Sequence, residues 1–260
     1  MLFADGYRRP GERGAEPMDP MTWSVRARNL PEHASNPIHT DEGGRAAGFD
    51  AALVAGVTVY AYVTRPIVEA WGPGWLAEGG ALVEFLSPVQ AGDPVDCVPA
   101  APTETGSVEV MALVGGAARV RCTAWPGSPD VADRGRPLNE QLEPHVEPLT
   151  GGWADYGLRA GDDLGLYAEA GIVHPAVWPA LANGVMTRHL VDGAWIHTRS
   201  RIRHHGIARV GAVATVQATV VDRFDTRSGV RAVLDVAISV DGALVAAIEH
   251  EAIVELHPTG

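Results

Sequence analysis

Two stretches of the 260-residue chain carry the same order of apolar and turn residues, set about 119 positions apart. Leu53-Val54-Ala55-Gly56 falls on Ile172-Val173-His174-Pro175 at a shift of 119, and the turn glycine Gly92 falls on Gly211 at the same shift. Gly116 and Gly242 are 126 apart, so the second copy has a longer hairpin. Self-similarity at a fixed offset means one supersecondary unit built twice.

Each unit reads as one apolar helix followed by an antiparallel meander. In the first, Thr22 to Ala27 alternates weakly as a strand, and a polar, turn-rich stretch runs to about Asp50. Val54 to Trp71 is apolar on most sides, which requires a helix buried nearly all round. Pro66 is expected to kink or break it, and Gly72-Pro73-Gly74 to stop it. Strand-like runs follow at 81–89, 94–98, 107–114 and 117–125. In the second unit, Pro175 to Val191 reads as a helix with proline at its start, stopped by Asp192-Gly193. Four strand-like runs follow at 194–203, 213–224, 230–240 and 243–256. The chain therefore divides into a flexible leader (1–17), a first repeat (18–127), a linker rich in proline, glycine and charge (128–150) and a second repeat (151–260). The class is α+β, with each helix filling the apolar face of a sheet.

Composition narrows the chemistry. All 20 basic side chains are arginine, so Schiff-base, pyridoxal phosphate and P-loop lysine chemistry are excluded for this chain. A net charge of −12 argues against nucleic-acid or anionic-membrane partners. No apolar run approaches the roughly 20 residues of a membrane span, and the leader lacks the apolar core of a signal peptide. Cys97 and Cys122 are too few for a disulfide framework or a zinc cluster, which makes a reducing cytoplasm the expected compartment.

The most informative segment is His33-Ala34-Ser35-Asn36-Pro37-Ile38-His39-Thr40-Asp41, just ahead of the first apolar helix. The Asn36-Pro37 turn would hold His39 in a fixed place beside the helix start. Together with Ala46-Ala47-Gly48-Phe49, Leu53 to Gly56, Pro88-Val89 and Gly92-Asp93, it resembles the MaoC-like, (R)-specific enoyl-CoA hydratase family of the hotdog fold. The resemblance covers about residues 22 to 125. The second half resembles a further hotdog repeat without the motif, which implies a double hotdog whose two sheets pair.

The resemblance implies reversible hydration of a trans-2-enoyl thioester in an acyl tunnel between the repeats, with no cofactor and no metal. In such enzymes an aspartate and a histidine of an Asp-x-Asn-Pro-x-His pattern activate one water, and a backbone N–H at the helix start polarises the thioester carbonyl. The matching positions are His39 as catalytic histidine, Gly56 as oxyanion site, and Asn36 and Pro37 as motif support. Each role is physically sound: a neutral imidazole exchanges protons near pH 7, and a helix N-terminus stabilises a developing enolate. The aspartate position, however, is Ala34, and the spacer from His39 to the helix is about one residue short. His33, Glu32 and Asp41 are the nearby substitutes for the missing acid or base.

Other readings stay open. His39 could be a buried histidine that only supports the turn, and Gly56 could only permit close packing. His33 is expected to be exposed. His174, at the position matching Ala55, is expected to be a residue of the second helix start, kept neutral by the helix end. Alternation puts Arg199, Arg201 and Arg203 on one strand face, either as a clamp for the phosphates of a CoA or carrier arm or as a solvated row. A non-catalytic acyl-thioester binding module is the alternative to a hydratase or dehydratase, and a thioesterase is a weaker one. The expected partners are an acyl thioester and a second copy of the chain, as a homodimer of double hotdogs.

Overall fold

The computed structural model describes residues 18–127 and 140–257, so the expected leader and most of the expected linker lie outside the described residues. The first half contributes β1 (Trp23–Arg26), β2 (Gly80–Phe85), β3 (Pro94–Pro99), β4 (Val108–Val114) and β5 (Ala117–Trp125). The second contributes β6 (Glu140–Gln141), β7 (His145–Pro148), β8 (Ile196–His204), β9 (Val213–Thr226), β10 (Gly229–Val240) and β11 (Ala243–Leu256). The helices are α1 (Asp41–Ala46), α2 (Gly56–Trp71), α3 (Trp75–Glu78), α4 (Gly151–Ala154), α5 (Tyr156–Ala160), α6 (Leu166–Ala170) and α7 (Val177–His189).

All eleven strands form one antiparallel sheet in the order β1-β3-β4-β5-β2-β8-β11-β10-β9-β6, with β7 also on β9. Read inward from each edge, β1-β3-β4-β5-β2 is matched by β7-β9-β10-β11-β8, the same connectivity twice. The halves meet where β2 pairs with β8, from Gly80 opposite Arg203 to Glu84 opposite Arg199. The offset of 119 recurs in the backbone: the isolated bridge Leu53–Gln90 has its counterpart in Ile172–Arg209. The bond from Val54 N–H to Val89 O likewise has its counterpart from Val173 N–H to Ala208 O.

Helix α2 is buried without interruption from Val57 to Val68, as its all-round apolar sequence requires. One side packs on β3, β4 and β5, and the other meets α5 and α7 of the second half. Each fully buried Val or Ile on it contributes about 1.5–3 kcal/mol. That packing explains why α2 continues through Pro66 rather than breaking there: the roughly 3 kcal/mol cost of an interior proline is small against burial on both sides.

Two further features differ from the sequence expectation. Residues 140–141 and 145–148, within the expected linker, are strands that pair with β9 and extend the second half's sheet. The segment 151–170, which has no clear periodicity, folds as three short helices that lean on the first half. There the Tyr62 hydroxyl donates to Ala160 O at 2.9 Å, and Arg65 bonds Asp163 at 2.8 Å.

Candidate active site

The segment ahead of α2 is built as two single 3-10 turns, Pro31–His33 and Pro37–His39. Asn36 caps the second by accepting from Ile38 N–H, and its amide donates across the molecule to Trp195 O at 3.0 Å, where β8 begins. Ile38 is buried, and Leu53 N–H donates to its carbonyl at 3.0 Å. This turn fixes His39. Its Nδ1 lies 2.8 Å from Leu53 O, so Nδ1 carries the hydrogen and Nε2 keeps a lone pair. Burial holds the His39 pKa below the ordinary histidine value, with the Leu53 carbonyl partly opposing, so the ring is neutral at pH 7.

His39 lines a cavity of about 450 Å³ between the two halves. From the first half its wall takes His33, Asn36, Val54, Gly56, Phe85 and Val89, and from the second Asn183, Thr187, Trp195, His197, Thr198 and Arg231. Gly56 opens α2, where a leading N–H has no acceptor within the helix. The approach here is close: a Cβ at Gly56 would stand 3.1 Å from His197 Nδ1 and 3.1 Å from Phe85 Cζ, so any larger residue makes these side chains give by a few tenths of an ångström.

His33 departs from its expected exposure. It is half-buried, its Nε2 lies 2.8 Å from the Tyr156 hydroxyl, and its ring stands edge-on to His39 with centroids 6.1 Å apart. Tyr156 in turn bonds the Thr58 hydroxyl at 2.7 Å, so a second-half tyrosine ties His33 to α2. Burial first, and then the neighbouring His39, bring the His33 pKa down to about 4.

The other sequence candidates fall away from His39. Glu32 lines the cavity but is held by Arg159 at 2.7 Å. Asp41 starts α1, accepts from Ala52 N–H at 3.1 Å and is off the cavity wall, because it serves the helix start. Ala34 is exposed and off the wall, while its neighbours His33 and Ser35 line it. Arg199, Arg201 and Arg203 do share the outer sheet face, but none lines the cavity. Arg199 pairs with Glu249 at 2.6 Å, and Arg201 lies over the Trp125 ring at 5.8 Å. The arginine on the cavity wall is Arg231, bonded to Glu251 at 2.7 Å. His174 is fully buried at the start of the second central helix. Its Nδ1 accepts from Ala176 N–H at 3.1 Å, and burial alone lowers its pKa to about 3.

One group has no signal in a strictly alternating reading. His197 shares parity with the outward arginines, yet it is buried on the cavity side. Arg199 pairs with Glu251 and His197 with Ala252, so Thr198 is an extra residue in β8, a bulge that turns His197 inward.

Solved structures share this architecture. The fold is a double hotdog. RV0216 of Mycobacterium tuberculosis, a double-hotdog protein, matches with a TM-score of 0.62 and 11% identity over 91% of this chain and 96% of that one. A MaoC-like dehydratase matches with a TM-score of 0.59 and 15% identity over 92% and 98%. An acyl-ACP thioesterase from Bacteroides thetaiotaomicron matches with a TM-score of 0.51 and 8% identity over 89% and 96%. No family profile and no curated protein matches the chain. No helix of the described residues is long and apolar enough to cross a membrane. Solved structures of like architecture thus carry the names of both a dehydratase and a thioesterase.

Proposed function

We propose that this protein is an acyl-thioester hydratase or dehydratase of the MaoC-like kind, adding water reversibly to a trans-2-enoyl thioester. The observation that carries the reading is the bare Nε2 of His39, set by the Leu53 carbonyl, on a cavity wall shared with the first N–H of α2. In the forward direction Nε2 takes a proton from water as the water oxygen bonds to C3. The double-bond electrons move through C2 to the thioester oxygen, where Gly56 N–H meets the developing negative charge. Collapse of that enolate takes the proton back at C2, so H and OH are added and the histidine is regenerated. His33, with Nε2 engaged by Tyr156, keeps Nδ1 for holding the water in place of the aspartate that Ala34 replaces.

The thioesterase alternative needs a carboxylate or comparable group at the helix start. In α2 the sole carboxylate is Glu69, thirteen residues on from Gly56 and bonded to Arg65. The binding-module alternative draws on Glu32, the one carboxylate on the cavity wall among the described residues, being tied to Arg159. Incubation with short- to medium-chain enoyl-CoAs separates the three. Hydration abolished by His39→Ala supports the proposal, free thiol release points to a thioesterase, and tight binding of the unchanged thioester points to a binding module.

A further inference from the structure

From His197, on the second half's share of the cavity wall, a buried chain of polar groups that the hydration steps above do not use runs back into the core. His197 Nε2 lies 2.8 Å from Ser200 Oγ, and Ser200 Oγ lies 2.7 Å from His250 Nδ1. All three residues are nine-tenths or more buried: His197 is 7% exposed, Ser200 and His250 0%. The remaining nitrogen of His197, Nδ1, has no hydrogen-bond partner among the described residues. It is the atom that stands 3.1 Å from where a Cβ on Gly56 would be. A β-bulge at Thr198 turned this ring from the outer face to the cavity, the kind of local irregularity that re-aims a side chain. A buried polar atom left unpaired costs about 1–3 kcal/mol, so its position calls for a ligand group.

We infer that His197 Nδ1–H is a second hydrogen-bond donor to the thioester oxygen, beside Gly56 N–H, and that Ser200 and His250 set its tautomer. The inference rests on the acyl-thioester reading above. The serine hydroxyl has one hydrogen, and the two rings are its partners among the described residues, so with that hydrogen bonded it donates to one ring and accepts from the other. That gives two orders of the chain, related by shifting two protons with no change of charge. In one, Ser200 donates to His197 Nε2, His250 Nδ1–H donates to Ser200, and His197 Nδ1 carries a hydrogen. In the other, His197 Nδ1 is bare. His250 Nε2 is unpartnered among the described residues in both orders, so it selects neither. A carbonyl oxygen offers only lone pairs, so its arrival selects the donor order. Both rings stay neutral, since burial lowers the pKa of each, with a hydrogen bond to the Arg199 backbone only partly opposing it at His197. The result is a two-donor oxyanion site with one donor from each hotdog repeat.

The test compares wild type with His197→Leu, His197→Asn and Ser200→Ala. Two readouts are used: kcat and KM for enoyl-CoA hydration, and the infrared carbonyl band of bound, carbon-13-labelled butyryl-CoA, which cannot be hydrated. His197→Leu should lower kcat about 100- to 1,000-fold with little change in KM and move the carbonyl band toward its position in the free thioester. His197→Asn, whose amide can donate near the Nδ1 position, should recover much of both. Ser200→Ala should move the band part of the way. If His197→Leu does not fold, histidine-15N spectra of the wild-type butyryl-CoA complex decide, because a bare Nδ1 overturns the proposal. An unmoved carbonyl band with hydration intact refutes the His197 role alone. A His197-dependent band in a protein that does not hydrate refutes the hydratase reading alone, and failure of wild type to bind butyryl-CoA refutes both.

Discussion

Four histidines buried in the core, His174, His197, His204 and His250, make the fold acid-labile in a calculable way. Burial lowers the pKa of the first three to about 3 and holds that of His250 well below its usual value. In each case at least one ring nitrogen has no partner among the described residues, so little offsets the cost of charging them in place. With folded pKa values depressed, the stability they permit is complete above pH 6.5 and is lost as pH falls toward 3. At pH 5.5 each unfolded histidine gains about 1.4 kcal/mol by protonation, so the four together cost the fold about 6 kcal/mol. Asp162 acts in the opposite sense. Burial raises its pKa to about 6, so folding is favoured as pH falls through 6, but this recovers only about 1 kcal/mol at pH 5.5. The loss is comparable to the 5–15 kcal/mol net stability of a typical domain. Urea unfolding followed by circular dichroism from pH 7.5 to 5.0 should therefore show a steep fall, with net uptake of about four protons per molecule unfolded near pH 5.5: about one for each core histidine and for His33, whose pKa is also depressed to about 4, less about one released by Asp162. His204→Leu, which removes a ring with two unpartnered nitrogens packed 4.8 Å from Trp75, should reduce that uptake by about one proton. A free energy of unfolding that is flat between pH 7.5 and 5.5 would refute the reasoning.

Three substitutions probe the site more locally. Gly56→Ala pushes a methyl against His197 and Phe85, so hydration should drop by tenfold or more while the melting temperature, helped by alanine's helix propensity, moves by only a few degrees; unaltered kcat would count against Gly56 at the reacting end. Tyr156→Phe leaves His33 Nε2 and the Thr58 hydroxyl unpaired, which should cost about 1–3 kcal/mol in urea unfolding and lower kcat more than it raises KM. Arg201→Ala should leave KM for acyl-CoA unchanged, because Arg201 lies over Trp125 and off the cavity wall; a large rise in KM would restore the phosphate-clamp role.

The repeat was legible because it rests on local patterns. Leu53 and Ile172 occupy equivalent bridges, and the strand runs after the second helix match β8 to β11 closely, since apolar alternation reports the buried face directly. The expectation of a tunnel between the repeats with His39 and Gly56 beside it came from the family resemblance instead, and both residues line the cavity between the halves. What escaped depends on contacts between distant segments. His33 looks like a loop residue until Tyr156, 123 positions on, covers it. The short strands β6 and β7 sit in a proline-rich stretch and exist because β9 is long enough to pair with them. The His197–Ser200–His250 chain joins two strands across 50 positions, and a single bulged residue reverses the parity that would place His197 outside.

The central claim is that the bare Nε2 of His39 adds water across an enoyl thioester. Its most direct test follows the loss of conjugated enoyl-thioester absorbance with wild type and with His39→Ala, and identifies the product by mass. Wild type should form a 3-hydroxyacyl-CoA, heavier by one water, and His39→Ala should lose it while keeping the wild-type circular dichroism. No hydration of any chain length from short to medium, or hydration indifferent to His39, would contradict the claim.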